Sequence, residues 1–469
     1  MCGIIAAAGP LDLTAAVTAL THRGPDSSAT VTAAGVTLGH TRLAIQDPGT
    51  RSDQPYADGP LTVVYNGELF NPAAVRRLVE EADPGRVWAT TGDTEAVTAA
   101  LAVLGPAEAL PALDGMYALA WADSRTPGSL YLARDPYGEI PLHVHRGAPV
   151  LAASELKAFT ALGRRCGPAV IDVAPGEWWQ IRPDGRTARR RFHTLHARPE
   201  ARAPDQAAAD LSAALATAVD RRAISDVPVC SLLSGGIDSA VIALELTRHV
   251  PDLVCYTARL NPKSADLRCA REVAEAIGVQ LVEVDVQPPT ADDLTRAVEV
   301  CEQTYKAQVE ITWPCLALAA AIRADGFKVT YSGEGSDELW ASYGFAFRGI
   351  AATDWYTYRR DLIAAQAVRN FPRVNKAFMS AGVEARLPFL DPDLVTLALS
   401  LPRDAVQSGN SPAGRKAVLG RAYRGRLPDR ITTRGKVAFQ DGLGLKGAIT
   451  ATLPNPLRYY RAEHSRLYG

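Results

Sequence analysis

Two short stretches carry residues whose types and spacing could do chemistry. The chain opens Met1-Cys2-Gly3-Ile4-Ile5, a thiol at the head of an apolar run. Cys2 has two readings. It is a small hydrophobe starting a strand, or, with Met1 removed, it carries a thiol beside a free α-amine. Such an amine has an ordinary pKa of about 7.7–8.0, so part of it is unprotonated near neutral pH and can act as a base. A nucleophile and a base on one residue need no histidine partner. The second stretch is Ser231-Leu232-Leu233-Ser234-Gly235-Gly236-Ile237-Asp238-Ser239. Small residues let the backbone close around a phosphate, and free N–H groups at a helix start meet its charge. The Gly-Lys-Ser/Thr ending of a Walker A loop is absent. An aspartate in place of the lysine suggests a metal-bridged phosphate, because Mg²⁺ favours carboxylate and phosphate oxygens.

The elements that must position these residues fall into two grammars. Up to about residue 190, short β-like runs (36–39, 61–65, 117–121, 130–133) are separated by turn residues such as Asp47-Pro48-Gly49 and Asp135-Pro136-Tyr137-Gly138. Helical stretches near 72–82 and 93–104 interrupt them, and the whole reads as a layered α+β domain. Residues 194–206 are polar, charged and proline-bearing, and read as a linker. Strands and helices then alternate: a helix over 205–223, a strand from Val227 to Leu233, helices over 239–249 and 266–277, strands over 253–258 and 280–286, a helix over 314–325 and a strand over 328–332. That alternation predicts a parallel sheet covered on both faces. From about 356 onward the pattern is mostly helical.

The bulk composition excludes some partners. Among 469 residues, 50 are Lys or Arg and 51 are Asp or Glu, for a formal net charge of −1. Nothing here predicts a nucleic-acid binder. No apolar run approaches the length of a transmembrane helix, and the N-terminus lacks the pattern of a secretory signal. The seven cysteines are scattered without a CxxC pair, which predicts a reduced, cytoplasmic setting. His143 and His145 alternate as strand neighbours would, but two histidines are a weak metal signal.

The loop Ser234 to Ser239 resembles the pyrophosphate-binding loop of ATP pyrophosphatases. Combined with Cys2, the chain is similar to the glutamine-dependent asparagine synthetase superfamily, over essentially its whole length. The N-terminal motifs of that resemblance are Cys2-Gly3-Ile4, His22-Arg23-Gly24-Pro25-Asp26, Arg42-Leu43-Ala44-Ile45, Gln54-Pro55, Tyr65-Asn66-Gly67-Glu68-Leu69 and Thr91-Gly92-Asp93-Thr94-Glu95. The C-terminal ones are the SGGIDS loop, Ser332-Gly333-Glu334-Gly335-Ser336-Asp337-Glu338, the run from Gly382 to Asp391, and Lys436 ahead of Gln440-Asp441-Gly442.

The resemblance implies an N-terminal nucleophile hydrolase fold over 1–193, a linker over 194–206, and over 207–469 an α/β parallel-sheet ATP pyrophosphatase domain with a helical C-terminal part. It implies Cys2 as the glutaminase nucleophile, with Asn66 and Gly67 as oxyanion donors. Arg42, Ile45, Asn66, Glu68 and Asp93 would bind glutamine. Leu232, Ser234, Gly235, Gly236, Asp238, Ser239, Ala258, Asp266, Ser332 and Gly333 would bind ATP, and Asp238 and Asp337 would hold Mg²⁺. Glu334 would help form an acyl-adenylate and take a proton from ammonia, and Lys436 would neutralise phosphate charge. Implied partners are glutamine, ATP and a carboxylic acid, with neither nucleic acid nor membrane, and a homodimer by family analogy. A β-lactam synthetase-like enzyme is the competing enzyme reading, but such relatives lack the nucleophilic cysteine. A glutamine- or ATP-sensing paralogue would have no need of Cys2 and Glu334.

The resemblance weakens at the acceptor site. Aligned back from Pro314, a slot that carries arginine in asparagine synthetases holds Glu310. The family's glycine pair after the Glu334 motif becomes Ala341-Ser342, beside the bulky Trp340. Glu310 and Trp340 are therefore expected to set acceptor specificity. A carboxylate cannot replace a cation facing a carboxylate, so free L-aspartate is expected to be a poor substrate unless Lys306 or another cation covers the loss.

Overall fold

The run Gly3–Ala7 is apolar throughout and buried at every position. A strand buried on both faces needs a covering layer on each side, and alternate side chains show what those layers are. Ile4 and Ala6 join Leu38 against Val64, Ala118 and Ala120 of a second sheet. Ile5 and Ala7 turn the other way, onto Leu13, Ala16 and Phe159. The computed structural model describes residues 1–469 except 344–349, 409–411, 436–441 and 443, together with the side chains of all described residues but 352, 412 and 413.

The first sheet contains β1 (Gly3–Ala7), β2 (Ser27–Ala33), β3 (Val36–Arg42), β8 (His143–His145), β9 (Leu151–Ala153) and β10 (Val170–Asp172), in the order β10-β8-β9-β1-β3-β2. The second contains β4 (Tyr56–Asp58), β5 (Leu61–Leu69), β6 (Gly115–Asp123), β7 (Leu130–Arg134), β11 (Glu177–Ile181) and β12 (Thr187–Arg191), in the order β12-β11-β7-β6-β5-β4. Pairing within each is antiparallel, with Gly3 opposite Thr41 and Asn66 opposite Ala118. The outer face of the second sheet, with Val63, Tyr65, Leu119 and Trp121, is covered by Val75, Val79 and Val97 of the helices Pro72–Ala82 and Asp93–Val103. The layers run helix, sheet, sheet, helix. This is the layered arrangement expected for the first 190 residues.

The helix Pro204–Arg222 follows, starting inside the stretch read as linker. Pro204 is tolerated there because a first-turn N–H has no partner to lose, and Asp205 and Arg221 sit at the ends that complement the helix dipole. The third sheet is parallel throughout: β13 (Val229–Leu232), β14 (Val254–Arg259), β15 (Gln280–Asp285), β16 (Val329–Tyr331) and β17 (Glu384–Arg386), ordered β15-β14-β13-β16-β17. Four of these strands and most of their helices match the sequence reading. Two features differ from it. The helix expected to begin at 314 begins at Lys306 and keeps Pro314 in its interior. β17 adds a strand within the region read as helical. It is three residues long, too short for a periodic signal, and exists because it pairs with β16.

Buried ions join the N-terminal layers to the parallel-sheet part. Glu155 accepts from Arg23 Nη1 at 2.6 Å, and Lys157 Nζ lies 2.5 Å from it. Glu302 accepts from Lys376 Nζ at 2.5 Å and from the backbone N–H groups of Leu156 and Lys157 at 2.9 and 3.1 Å. Glu302 itself caps the helix Ala291–Cys301 in a left-handed backbone conformation, φ 54°. The carboxylates of Glu155 and Glu302 are fully buried. Removing one member of a buried ion pair strands its partner, at a cost of about 3–5 kcal/mol. Glu302→Ala is therefore expected to destabilise the protein by that amount, read as a lowered denaturant midpoint. Glu299→Ala, which breaks the exposed Arg296–Glu299 pair, should cost under about 1 kcal/mol.

Candidate active site

β1 delivers Cys2 to the end of the first sheet, next to Asn66 in β5. The Cys2 backbone N–H donates to Asn66 Oδ1 at 2.8 Å, while Asn66 Nδ2 donates to Ser154 Oγ at 3.2 Å. The Cys2 carbonyl accepts from Arg23 Nε at 2.8 Å. The thiol is buried, and burial raises its pKa against the pull of the neighbouring ammonium. A cleft beside it is lined by Met1, Arg42, Ile45, Gly67, Glu68 and Asp93 among others. The residues expected to bind glutamine thus meet around one thiol. Gly67 has no alternative, because a Cβ there would lie 2.3 Å from the carbonyl oxygen of Met116 on β6. The Arg42 guanidinium is held by the loop that follows it, donating to the carbonyls of Gly49 and Asp47 at 2.6 Å each and to Asp53 at 2.7 Å. Asp93 opens its helix and accepts from Leu69 N–H at 3.1 Å, and burial raises its pKa.

Met1 is buried too. Its ammonium lies 2.5 Å from Glu384 of β17. Arg386, two residues on, donates to Glu384 at 2.7 Å and pairs with Glu68 at 3.0 Å. Burial, then the repulsion of Glu384, raises the pKa of Glu68 despite that partner.

The second cluster sits at the carboxyl ends of the parallel strands, where open α/β sheets bind ligands. After β13, Gly235 turns with φ 79°, and a Cβ there would lie 2.1 Å from the carbonyl of Asp266. The Ser234 N–H donates to Ser239 Oγ at 3.0 Å, closing the loop. Leu232 ends β13, Gly236 caps the helix Ile237–Leu246, and Ala258 lies near the end of β14. Asp266, after β14, pairs with Arg434, which also donates to the Gly235 carbonyl at 3.1 Å. After β16, Gly333 packs on Asp238, where a Cβ would meet the Asp238 Cβ at 2.8 Å, next to Ser332. Asp238 and Asp337 converge: Lys416 Nζ is 2.5 Å from a carboxylate oxygen of each. Two carboxylates aimed at one point suit Mg²⁺ completed by phosphate oxygens. Among the described residues no larger cluster of metal-ligating side chains is present. Lys436 lies outside the described residues.

Glu334 pairs with Arg373 Nη2 at 2.5 Å. Arg373 is in turn held by Gln308 Oε1 at 3.2 Å and lies near Cys315 Sγ, both on the helix Lys306–Ala324. Glu310 is placed apart from this group. Gln308 and Cys315 share one face of that helix. Glu310, two residues beyond Gln308, is turned about 200° away. It pairs with Lys306 at 2.6 Å and faces Tyr460 of the C-terminal helix Pro456–Tyr468. The cation beside Glu334 is Arg373. Trp340 is fully buried and meets the cluster through Ser336, donating to its Oγ at 2.9 Å.

The comparisons with known proteins agree with this geometry. Residues 1–171 match the glutamine amidotransferase domain family, and residues 210–372 and 358–463 match the asparagine synthase family. Asparagine synthetase [glutamine-hydrolyzing] 2 of Arabidopsis thaliana is 30% identical over 95% of this chain and 79% of its own length. The corresponding protein of Oryza sativa is 29% identical over 95% and 78%. Asparagine synthetase B of Escherichia coli K12 is 29% identical over 90% and 77%. The chain belongs to the glutamine-dependent asparagine synthetase superfamily. It is a glutamine-hydrolysing ligase.

Reasoning from sequence missed several residues of this synthetase. Arg23, inside the quoted His22–Asp26 motif, holds the Cys2 carbonyl. Ser154, Arg373 and Lys416 have no local signal, because each reaches its site from a distant segment. Glu384 and Arg386 stand in the quoted run from Gly382 to Asp391, which gave them no role. Nor did the quoted motif from Ser332 give one to its last residue, Glu338. It is fully buried, accepting from Tyr343 OH at 2.5 Å and Asn370 Nδ2 at 3.2 Å. Burial, then Asp337 and Glu334, push it up to about 8 from an ordinary 4.5. The folded protein therefore holds a proton that the unfolded chain releases between those values. Stability falls as pH rises through that window, by about 1.4 kcal/mol per pH unit from this group, and the penalty is absent below it. Glu338→Gln removes the term. Urea midpoints measured from pH 5 to about 8 should decline more steeply for the wild type than for the variant. Parallel decline would mean that Glu338 is ionised in the folded state.

Proposed function

We propose that the ligase activates a carboxylic acid with ATP as an acyl-adenylate, releasing pyrophosphate, and amidates it with ammonia from glutamine. On this reading residues 1–193 are the glutaminase unit, 194–206 the connection and 207–469 the synthetase unit. The observation that carries it is the convergence of Asp238, Asp266, Glu334 and Asp337 at the carboxyl ends of one parallel sheet, joined through Glu384 and Arg386 to the cleft beside Cys2.

In the glutaminase unit, Cys2 attacks the side-chain amide of glutamine once Met1 is removed. Asn66 and the Gly67 N–H stabilise the oxyanion, a donor role worth about 10²–10³ in rate. Arg42 holds the α-carboxylate by exchanging loop carbonyls for a charged partner, and Asp93 and Glu68 hold the amino end and the amide. Ammonia passes inside the protein, which raises its effective concentration at the adenylate.

In the synthetase unit, the loop Ser234 to Ser239 cradles the pyrophosphate, while Leu232, Ala258, Ser332 and Gly333 border the adenosine. Asp238 and Asp337 would hold Mg²⁺, which neutralises phosphate charge when bound. Glu334 accepts a proton from the attacking ammonia. Lys436 balances charge on the phosphates.

Arg373 supports L-aspartate as the acceptor, since its guanidinium stands beside Glu334 and can meet a second carboxylate bidentately. Glu310, the residue that argued against aspartate, faces elsewhere.

Cys2→Ala is expected to abolish glutamine-dependent turnover and spare ammonia-dependent synthesis. Product and nucleotide are measured with glutamine and with ammonium chloride, and AMP should appear in both assays of the wild type. Equal loss with both nitrogen sources, or stoichiometric ADP, would overturn the reading.

With aspartate as substrate, Glu310→Gln should leave kcat/KM nearly unchanged. Arg373→Met should lower it about tenfold to a hundredfold, the equivalent of one charge-assisted hydrogen bond. A panel of neutral and amine-bearing carboxylates in the same assay tests the choice of acceptor.

A further inference from the structure

Lys416 has no part in the reading above, yet it occupies a central position. It ends the short turn Pro412–Lys416, and its side chain is 7% exposed. Its Nζ lies 2.5 Å from Asp238 Oδ2 and 2.5 Å from Asp337 Oδ1. Mg²⁺ sits about 2.0–2.1 Å from its oxygens, so the ammonium takes nearly the position of a divalent ion bridging the same two carboxylates. We propose that in the nucleotide-free enzyme Lys416 stands in for the metal between Asp238 and Asp337, so that this pair takes up a divalent ion only together with nucleotide. The inference rests on the reading of Asp238 and Asp337 as metal ligands.

Three features support it. First, two partly exposed carboxylates aimed at one point repel each other unless a cation lies between them, and Lys416 supplies that cation within the chain. Second, neither carboxylate is loose. Ser336 Oγ donates to Asp238 Oδ1 at 2.6 Å, and Trp340 Nε1 donates to Ser336 Oγ at 2.9 Å. Ser342 Oγ donates to Asp337 Oδ1. The acids are held in place by these hydroxyls, so the metal and the ammonium cannot share them, and one must displace the other. Third, the exchange differs with and without nucleotide. A bare divalent ion must break two charge-assisted hydrogen bonds and leave the displaced ammonium without a counter-charge. An ion arriving on a polyphosphate brings its own oxygen ligands and an anion beside which the ammonium stays compensated.

Mn²⁺ is the probe, its free concentration followed by electron paramagnetic resonance during titration of the full-length enzyme, with and without α,β-methylene-ATP. The wild type is expected to bind Mn²⁺ alone weakly and to gain a site with the analogue. Lys416→Met should bind Mn²⁺ alone at least about tenfold more tightly than the wild type, within the usual range of coupling between sites. Lys416→Arg, which keeps a cation, should stay weak. The gain in Lys416→Met should vanish when Asp238→Asn is added. Tight binding by the wild type without nucleotide, or no gain in Lys416→Met, would overturn the proposal while leaving the metal reading standing, because the analogue would still recruit Mn²⁺. Failure of every protein to take up Mn²⁺ even with the analogue would overturn both. If Lys416→Met does not fold, Lys416→Gln and the wild type's own affinity without nucleotide test the same point.

Discussion

Arg386 is fully buried, and its guanidinium reaches both parts of the protein. It donates to Glu384 on its own strand and to the carbonyls of Arg222 and Ile224, at 2.5 Å each, where the first helix of the parallel-sheet part ends. Across the junction it meets Glu68, in the strand that also carries Asn66 and Gly67. A charge taken out of water so completely is tolerable only with full compensation. The geometry of the Cys2 cleft and the edge of the parallel sheet are therefore set by one side chain. Moving either part would strand a buried cation among buried acids.

The rest of the junction follows the same logic. Arg23 binds the Cys2 carbonyl, Glu155 and Asn375, thereby touching the head of β1, its own layer and the other part at once. Lys376 and Glu302 extend the chain of charges, and His143 Nε2 lies 3.1 Å from Lys376 Nζ. An apolar interface would allow sliding, because hydrophobic contact is not directional. Ion pairs with defined hydrogen bonds allow one registration.

Charge also organises the carboxyl ends of the parallel strands. Asp238, Asp266, Glu334, Asp337 and Glu338 gather at the carboxyl ends of strands, and most have an internal cation: Lys416 for the aspartate pair, Arg434 for Asp266 and Arg373 for Glu334. Glu338 has a tyrosine and an amide in place of a cation, and burial raises its pKa. These acids are thus kept neutralised by the chain itself.

Much of this was legible in the residues. Cys2, Asn66, Arg42 and Asp93 stand in short motifs whose local order carries their meaning, as does the loop from Ser234 to Ser239, whose glycine at 235 is required by a positive φ and by a neighbouring carbonyl. Strands such as β13 and helices such as Pro72–Ala82 followed from apolar patterning, because each is long enough to repeat its period. β17 was not legible, since three residues have no period and its identity lies in pairing with β16. Nor was the direction of Glu310, because alignment assigns a position along a helix while its rotation about the axis is decided by what packs on each face. Lys416 and Arg373 read as ordinary basic residues one at a time, and Arg386 stood in a motif that did not name its partners. The sequence alone determined which reactive groups the protein possesses and the two kinds of sheet that carry them. Only the tertiary structure decided which cation neutralises which acid, because those pairs join segments up to hundreds of residues apart and depend on distances that no local pattern encodes.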